Sequence, residues 1–509
     1  MAIKQDFNWN KLQNGSDIRG IAIDGVPNEQ VNLTPEIAKI IGQALVGWLS
    51  QKINKPSNQL KIGVGRDSRL SGPIIMQAVI DGITSTGSHV NYFGMASTPA
   101  MFMSTITTGF ECDGAIMLTA SHLPFNRNGM KFFTASGGLE KQDISAILAL
   151  AIDNTFELAT TVGSITNHDF MSVYASQFVS QIRSAVNHPT NFAQPLAGLK
   201  IIVDAGNGAG GFYADQVLQP LGADTTGSQF LDPDGTFPNH VPNPEDPTAM
   251  AAICRAVIEH QADFGIIFDT DVDRSAAVDS AGKELNRNRL IGLISAIVLQ
   301  EHPNSTIVTD SITSDGLTQF IQQDLGGIHH RFKRGYKNVI NESMRLNQSG
   351  QESWLAIETS GHAAMKENHF LDDGAYLVSK LLIELAKSRL TGKSLTDLII
   401  NLQEPIESKE LRIKITSEDF QVVGSRVIEQ MQAFALSHPG WKIVPNNYEG
   451  VRVSCSDASE DGWFLLRLSL HDPVIPVNIE SNVPGGVDRI EQQLLSFLKV
   501  QDFLDFPVS

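Results

Sequence analysis

Cysteine is scarce: Cys112, Cys254 and Cys455 are the only three in 509 residues. Few, odd in number and not at metal-ligand spacing, they fit a reducing compartment and read as buried thiols. Cations are also in short supply. Lys and Arg total 38 against 56 Asp and Glu, and the net charge of −18 argues against a general binder of nucleic acid or anionic membrane. No apolar run reaches the roughly 18 residues of a membrane span. Met1-Ala-Ile-Lys-Gln-Asp-Phe-Asn-Trp-Asn10 lacks the continuous apolar core of a secretory signal. The expectation is a soluble, cytoplasmic protein without nucleic-acid or membrane partners; nothing in the sequence specifies an oligomeric state. At 42% hydrophobic and 18% charged residues, the chain is long enough for several cores.

The most informative segment is Thr119-Ala-Ser-His-Leu-Pro-Phe-Asn-Arg-Asn-Gly-Met-Lys131. It gathers a hydroxyl nucleophile (Ser121), an imidazole (His122), an Asn-Gly turn and a cation (Lys131). The apolar run Gly114-Ala-Ile-Met-Leu118 leads into it, so Ser121 is expected exposed at the carboxyl end of a strand, where open α/β sheets place their chemistry. Taken alone, the segment is also compatible with an ordinary capped turn.

A second strand-like run empties into carboxylates in Gly265-Ile-Ile-Phe-Asp-Thr-Asp-Val-Asp-Arg274. Spacing of two in an extended segment points Asp269, Asp271 and Asp273 the same way. Like charges so close call for a hard cation, and Mg²⁺ fits best, with Arg274 beside it able to hold a phosphate by paired donors. An EF-hand is excluded, because Arg274 falls where the turn glycine belongs and Ser280 where the bidentate Glu belongs. A phosphatase with an Asp nucleophile and a solvated acidic loop remain as alternatives.

Together these residues resemble the α-D-phosphohexomutases, the family of phosphoglucomutase, phosphomannomutase and phosphoglucosamine mutase. The TASHNP-type loop appears as Thr119 to Pro124 with Leu123 in the Asn position, and the DxDxDR loop is complete. The GExSGH-type loop appears as Glu358-Thr-Ser-Gly-His362 after Ile357, followed by Asp372-Asp-Gly374. Asp17-Ile-Arg-Gly20, Gly65-Arg-Asp-Ser-Arg69, Ser97-Thr-Pro99, Asp204-Ala-Gly-Asn-Gly208 and Pro233-Asp-Gly-Thr-Phe-Pro238 fall in the family's order across most of the chain.

The resemblance implies a phosphoryl group on Ser121 and Mg²⁺ bound by Asp269, Asp271, Asp273 and the phosphorylated Ser121. Hexose 1-phosphate and hexose 6-phosphate then interconvert through a hexose 1,6-bisphosphate, with glucose and mannose as candidate sugars. Glu358 and Ser360 are implied to read sugar hydroxyls. Lys131, Arg19 and His362 are candidates for moving the proton, with His122 and Arg274 beside the nucleophile. An acidic protein that handles phosphates must concentrate its cations locally, and Arg19, Arg66, Lys131, Arg274, Lys333, Arg334, Lys337 and Arg467 lie in or beside expected loops. Singly, each reads as a solvated surface charge.

A weak repeat supplies the architecture: Lys61-Ile-Gly-Val-Gly65, Lys200-Ile-Ile-Val-Asp204 and Thr306-Ile-Val-Thr-Asp310 each lead through a polar loop into a helix, ending near Ile83, Leu218 and Gln323. The fold class is α/β: three similar α/β domains with mixed sheets, then a C-terminal α+β domain, which the resemblance arranges around a central cleft. Expected boundaries are 1–165 with the phosphoserine loop, 166–283 with the metal loop, 284–401 with the sugar loop and 402–509 with the phosphate loop.

The fourth domain departs from the family. Where an RxSGT loop is usual, the strand Trp463-Phe-Leu-Leu-Arg-Leu-Ser-Leu-His-Asp-Pro473 keeps Arg467 and Ser469 but has Leu470 and His471 in the last positions. Arg331-Phe-Lys-Arg-Gly-Tyr-Lys337 is meanwhile strongly cationic, with Lys333 and Arg334 as phosphate candidates beside Arg467, Ser469 and His471. This leaves open a hexose 1,6-bisphosphate synthase fed by a sugar bisphosphate donor, or an idle sugar-phosphate-binding regulator.

Overall fold

Gly114–Leu118 is buried at every residue because the strand lies inside its sheet and helices Gly72–Ser85 and Thr98–Met103 pack against it. The computed structural model describes residues 7–156, 158–469 and 472–506. The chain forms two compact units, Met1–Asn286 with Ser360–Leu395, and Arg287–Thr359 with Thr396–Ser509.

In the first unit one sheet runs in the order Gln13–Asn14, Asp17–Ile21, Arg127–Thr134, Gly114–Leu118, Lys61–Arg66, His89–Met95, Ile165–Asn167. Lys61–Arg66 is parallel to both neighbours, whereas Arg127–Thr134 is antiparallel to all three of its own, Gly137–Gly138 included. That antiparallel return lays Lys131 opposite Met117 and puts the loop bearing Ser121 at the strand's carboxyl end. Thr34 caps helix Pro35–Ile53, with Pro35 at the first position where a missing N–H costs nothing. Its Ile37, Leu45 and Leu49 join Ile62, Val64, Ile116 and Leu118 of the strands in one core.

A second mixed sheet pairs Phe264–Phe268 in parallel with Ile201–Asp204 and antiparallel with Ser275–Asp279. Helix Gly374–Leu390 packs on Phe170–Val186 in the same unit, although about 200 residues separate them in sequence. Tyr174 OH donates to Asp373 Oδ2 at 2.8 Å there. Burial lifts the Asp373 carboxyl to about 7.

The second unit has parallel strands Ile328–Arg331, Thr306–Thr309 and Ser353–Ile357. It also has an antiparallel sheet in the order Trp441–Ile443, Val451–Cys455, Gly462–Leu466, Val474–Ser481, Glu407–Ile415, Leu504–Asp505. Helices Phe420–Ser437 and Gly486–Leu498 cover that sheet with Val427, Met431, Ile490 and Leu494. The class is therefore α/β three times over, followed by a sheet-rich α+β segment.

Two expected helices end where the pattern places them, near Leu218 and Gln323, but wind differently from a regular α-helix. After Asp204 the chain first makes turns, then winds at the wider π spacing only over Tyr213–Leu218; after Asp310 an α-helix covers Asp315–Gln319 and continues as π-type turns over Phe320–Asp324. In the first case Gly206, Gly208, Gly210 and Gly211 favour loop over helix. The strand expected from Trp463 ends at Leu466. Leu470 and His471 lie outside the described residues. All three cysteines are free, Cys112 and Cys455 buried and Cys254 half-buried. Among the described residues no helix is long and apolar enough to cross a membrane.

Candidate active site

In the first unit, Ser121 sits in a turn with left-handed φ of +51° and is 4% exposed, so the expectation of an exposed serine is corrected. Packing from the aspartate loop covers it. Its Oγ accepts from Arg274 Nη2 at 2.9 Å and donates to Asp269 Oδ2 at 3.2 Å. Arg274 Nη2 also donates to His122 Nδ1 at 2.6 Å, which fixes that nitrogen as the unprotonated one. Burial, then the charges of Arg274 and Arg19, push the His122 pKa down to about 2. The imidazole is neutral.

The three aspartates converge by a turn rather than by strand alternation, which corrects the sequence reading. The strand stops at Phe268, Val272 N donates to Asp269 O at 3.3 Å, and Val272 takes φ +65°, a conformation costly for a β-branched residue. Asp269, Asp271 and Asp273 are 0%, 0% and 1% exposed. Each offers an oxygen, and these lie within 4.8 Å of one another. Lys131 Nζ bonds Asp273 Oδ2 and stands 3.2 Å from Asp271 Oδ2, while Thr98 Oγ1 donates to Asp271. Asp269 is clasped by Arg274 through its backbone N, Nε and Nη2. Burial and repulsion from Asp273 and Asp271 drive the Asp269 carboxyl upward. Burial opposes ionisation of Asp273 too, but Lys131, His362 and Arg274 hold it well below the usual range.

These residues fit a hard divalent cation on a structural ground: Asp271 Oδ1 and Asp273 Oδ1 are buried without a hydrogen-bond partner. Two carboxylate oxygens left without a hydrogen bond in a buried acidic cluster are a donor set for Mg²⁺. His362 lies in the same unit, its Nδ1 2.6 Å from Asp372 Oδ2 and 4.0 Å from Asp273 Oδ1. Burial disfavours its imidazolium, yet Asp372 and Asp273 outweigh this and raise the pKa to about 9. Arg19 pairs with Asp17 at 3.1 Å, and Ser360 is buried.

The second unit collects a different group. Glu358 accepts from Gly335 N at 2.5 Å. Glu449 draws three donors together: Ser311 Oγ at 2.6 Å, Arg334 N at 3.0 Å and Arg467 Nη1 at 3.7 Å. Burial lowers the Arg467 pKa, and Glu449 opposes that. Ser469 Oγ accepts from Asp472 N at 3.3 Å, and Lys333 is exposed.

Three family matches follow one another along the chain: Phosphoglucomutase/phosphomannomutase, alpha/beta/alpha domain I over residues 10–157, domain II over 176–282 and domain III over 286–405. A phosphoglucomutase of Neisseria meningitidis is 30% identical over 494 residues, covering 97% of each chain. The chain belongs to the phosphoglucomutase/phosphomannomutase family. A phosphomannomutase/phosphoglucomutase of Pseudomonas syringae pv. tomato is 32% identical over 96% of each chain. The crystal structure of a phosphoglucomutase/phosphomannomutase family protein from Burkholderia thailandensis matches with a TM-score of 0.79 and 27% identity, covering 99% of this chain and 100% of that one.

Some contributors in this family member escaped the sequence reading. Thr98 lay in a noted motif, but nothing local aims its hydroxyl at Asp271. Asp372 was likewise noted without its partner His362. Asn243, which accepts from Arg274 Nη1 at 3.2 Å, and Glu449 carried no signal at all.

Proposed function

We propose that this chain interconverts hexose 1-phosphate and hexose 6-phosphate, of glucose and/or mannose, through a phosphoryl group carried on Ser121 Oγ. It is an intramolecular phosphotransferase of the phosphohexomutase kind. The observation that carries the reading is a buried serine hydroxyl bonded by Arg274 and Asp269 beside two carboxylate oxygens that lack a hydrogen bond. A binding protein has no use for that crowding of charge. Nothing in the comparisons favours a bisphosphate synthase or an idle regulator, since the relatives carry mutase names.

Asp269, Asp271 and Asp273, with the phosphorylated Ser121, would hold Mg²⁺. Bound there, the ion would neutralise charge on the transferring group and on Ser121 Oγ as its bond breaks. A substrate hydroxyl attacks the phosphorus, the P–Oγ bond breaks with its electrons on the serine oxygen, and a hexose 1,6-bisphosphate results. The bisphosphate turns over, and its other phosphate returns to Ser121. Arg274 holds Oγ in both directions. Lys131 and His362 are the candidates for moving the proton between the attacking hydroxyl and Ser121 Oγ; His362, raised to about 9, enters protonated and so can donate to Oγ rather than accept, while Arg19 keeps its protons at any relevant pH and serves as a fixed positive charge. Glu358 and Ser360 are the candidates for sugar hydroxyls, and Lys333, Arg334, Arg467 and Ser469 for the non-reacting phosphate.

Intact-mass measurement tests this directly. The purified protein, charged with glucose 1,6-bisphosphate, is expected to carry one phosphoryl group that Ser121→Ala lacks, and that variant is expected to lose turnover. A Ser121→Ala enzyme within a few-fold of wild type overturns the reading.

A further inference from the structure

Arg69 has no part in the chemistry above, yet it is 0% exposed and both of its terminal nitrogens are hydrogen-bonded. Its Nη1 donates to Pro124 O at 2.8 Å and Arg127 O at 3.1 Å; its Nη2 donates to Leu123 O at 2.6 Å and to Ser121 O. One guanidinium thus binds four carbonyls of the turn that carries the nucleophile. Asp67 aims it, with Oδ2 3.3 Å from Nε and Oδ1 accepting from Arg69 N at 3.0 Å. Ser121 needs such help, because a serine at φ +51° occupies backbone space that L-residues disfavour.

The far side of Arg69 is closed by Pro233-Asp-Gly-Thr-Phe-Pro238. The Phe237 ring lies 5.3 Å from the guanidinium carbon. Gly235 packs so tightly that a Cβ would meet Leu70 N at 2.5 Å, Ser68 O at 2.6 Å and Arg69 C at 2.8 Å. Two sequence motifs left without chemistry, this one and Gly65-Arg-Asp-Ser-Arg69, therefore meet at one side chain.

We propose that Arg69 is a positioning residue for phosphoryl transfer, fixing the left-handed Ser121 turn so that Oγ stays aligned with Arg274 and Asp269 through each transfer. The inference rests on the phosphoserine reading. Lysine cannot replace it: an ammonium has three donors and no planar fork, so it cannot serve four carbonyls in this geometry.

The test compares wild type, Arg69→Lys and Ser121→Ala as full-length protein charged with glucose 1,6-bisphosphate. It measures kcat per phosphorylated molecule, KM for the hexose 1-phosphate and Tm. Arg69→Lys is expected to lower kcat about 100-fold, the scale of a misplaced reacting group, with KM within about threefold. A merely structural role would lower Tm and the yield while leaving kcat per phosphorylated molecule within about threefold of wild type, and that result overturns the proposal. Should Arg69→Lys fail to fold, Asp67→Asn removes the charge that aims the guanidinium at the four carbonyls. A fall in kcat at unchanged KM then supports the proposal, and an unchanged kcat overturns it. An active Ser121→Ala enzyme would instead strike the phosphoserine reading itself.

Discussion

Arg274 Nη2 donates to His122 Nδ1 at 2.6 Å while the same nitrogen reaches Ser121 Oγ at 2.9 Å. One guanidinium nitrogen thereby sets the tautomer of the histidine and the direction of the serine hydroxyl. The other nitrogens hold Asp269 and Asn243. Arg274→Lys keeps the charge but loses the fork, so kcat is expected to fall roughly 100- to 1,000-fold, the scale of losing a preorganised donor to developing charge. Steady-state kinetics of the variant check this, and activity within threefold of wild type contradicts it.

Metal removal is expected to abolish turnover and Mg²⁺ to restore it. The same ion should raise Tm, because a ligand binding only the folded state at 100 times its Kd stabilises by about 2.7 kcal/mol. Asp271→Asn retains the Thr98 contact yet loses one carboxylate charge, so the Mg²⁺-dependent rise in Tm should shrink. Thermal melts with and without chelator decide, and an identical rise in the variant contradicts the assignment.

Gly208 lies against the aspartate loop: a Cβ there would meet Thr270 O at 2.6 Å and Thr270 Cα at 2.7 Å. Gly208→Ala must push the backbone between Asp269 and Asp271. The Mg²⁺ concentration for half-maximal activity is expected to rise severalfold, read from a metal titration at saturating substrate. An unchanged titration shows that the loop absorbs the methyl group.

His240 offers a pH test away from the aspartates. Its Nε2 lies 3.1 Å from both oxygens of Asp204, and Nδ1 donates to Val241 O at 2.9 Å. Burial works against the imidazolium, but Asp204 more than compensates and the pKa is raised. The folded protein thus holds this proton more tightly than the unfolded chain. The stabilisation is fully present below the ordinary imidazole pKa of about 6.5 and is lost as pH rises through the higher folded value. The Tm advantage of wild type over His240→Gln should be larger at pH 6 than at pH 9. An advantage that grows with pH refutes it.

Several parts of this protein were legible in its sequence because the relevant chemistry is contiguous. Ser121 with His122, the aspartates ending in Arg274, and Glu358 to His362 are short strings whose residue types announce phosphate and metal chemistry wherever they fold. The strand–loop–helix repeat was readable for the same reason, since burial of a strand is written in its own apolar run. The ends of the helices after Asp204 and Asp310 were legible but their wide winding was not, because local periodicity does not register where packing imposes wider turns. Only tertiary structure brought Lys131 to Asp273, 142 residues away, and Arg69 to the carbonyls of the Ser121 turn. It also decided that the aspartates meet through a turn with Val272 at positive φ, against the β preference of that residue. Local propensity is worth a fraction of a kcal/mol per residue, and a buried cluster of charges and hydrogen bonds overrides it.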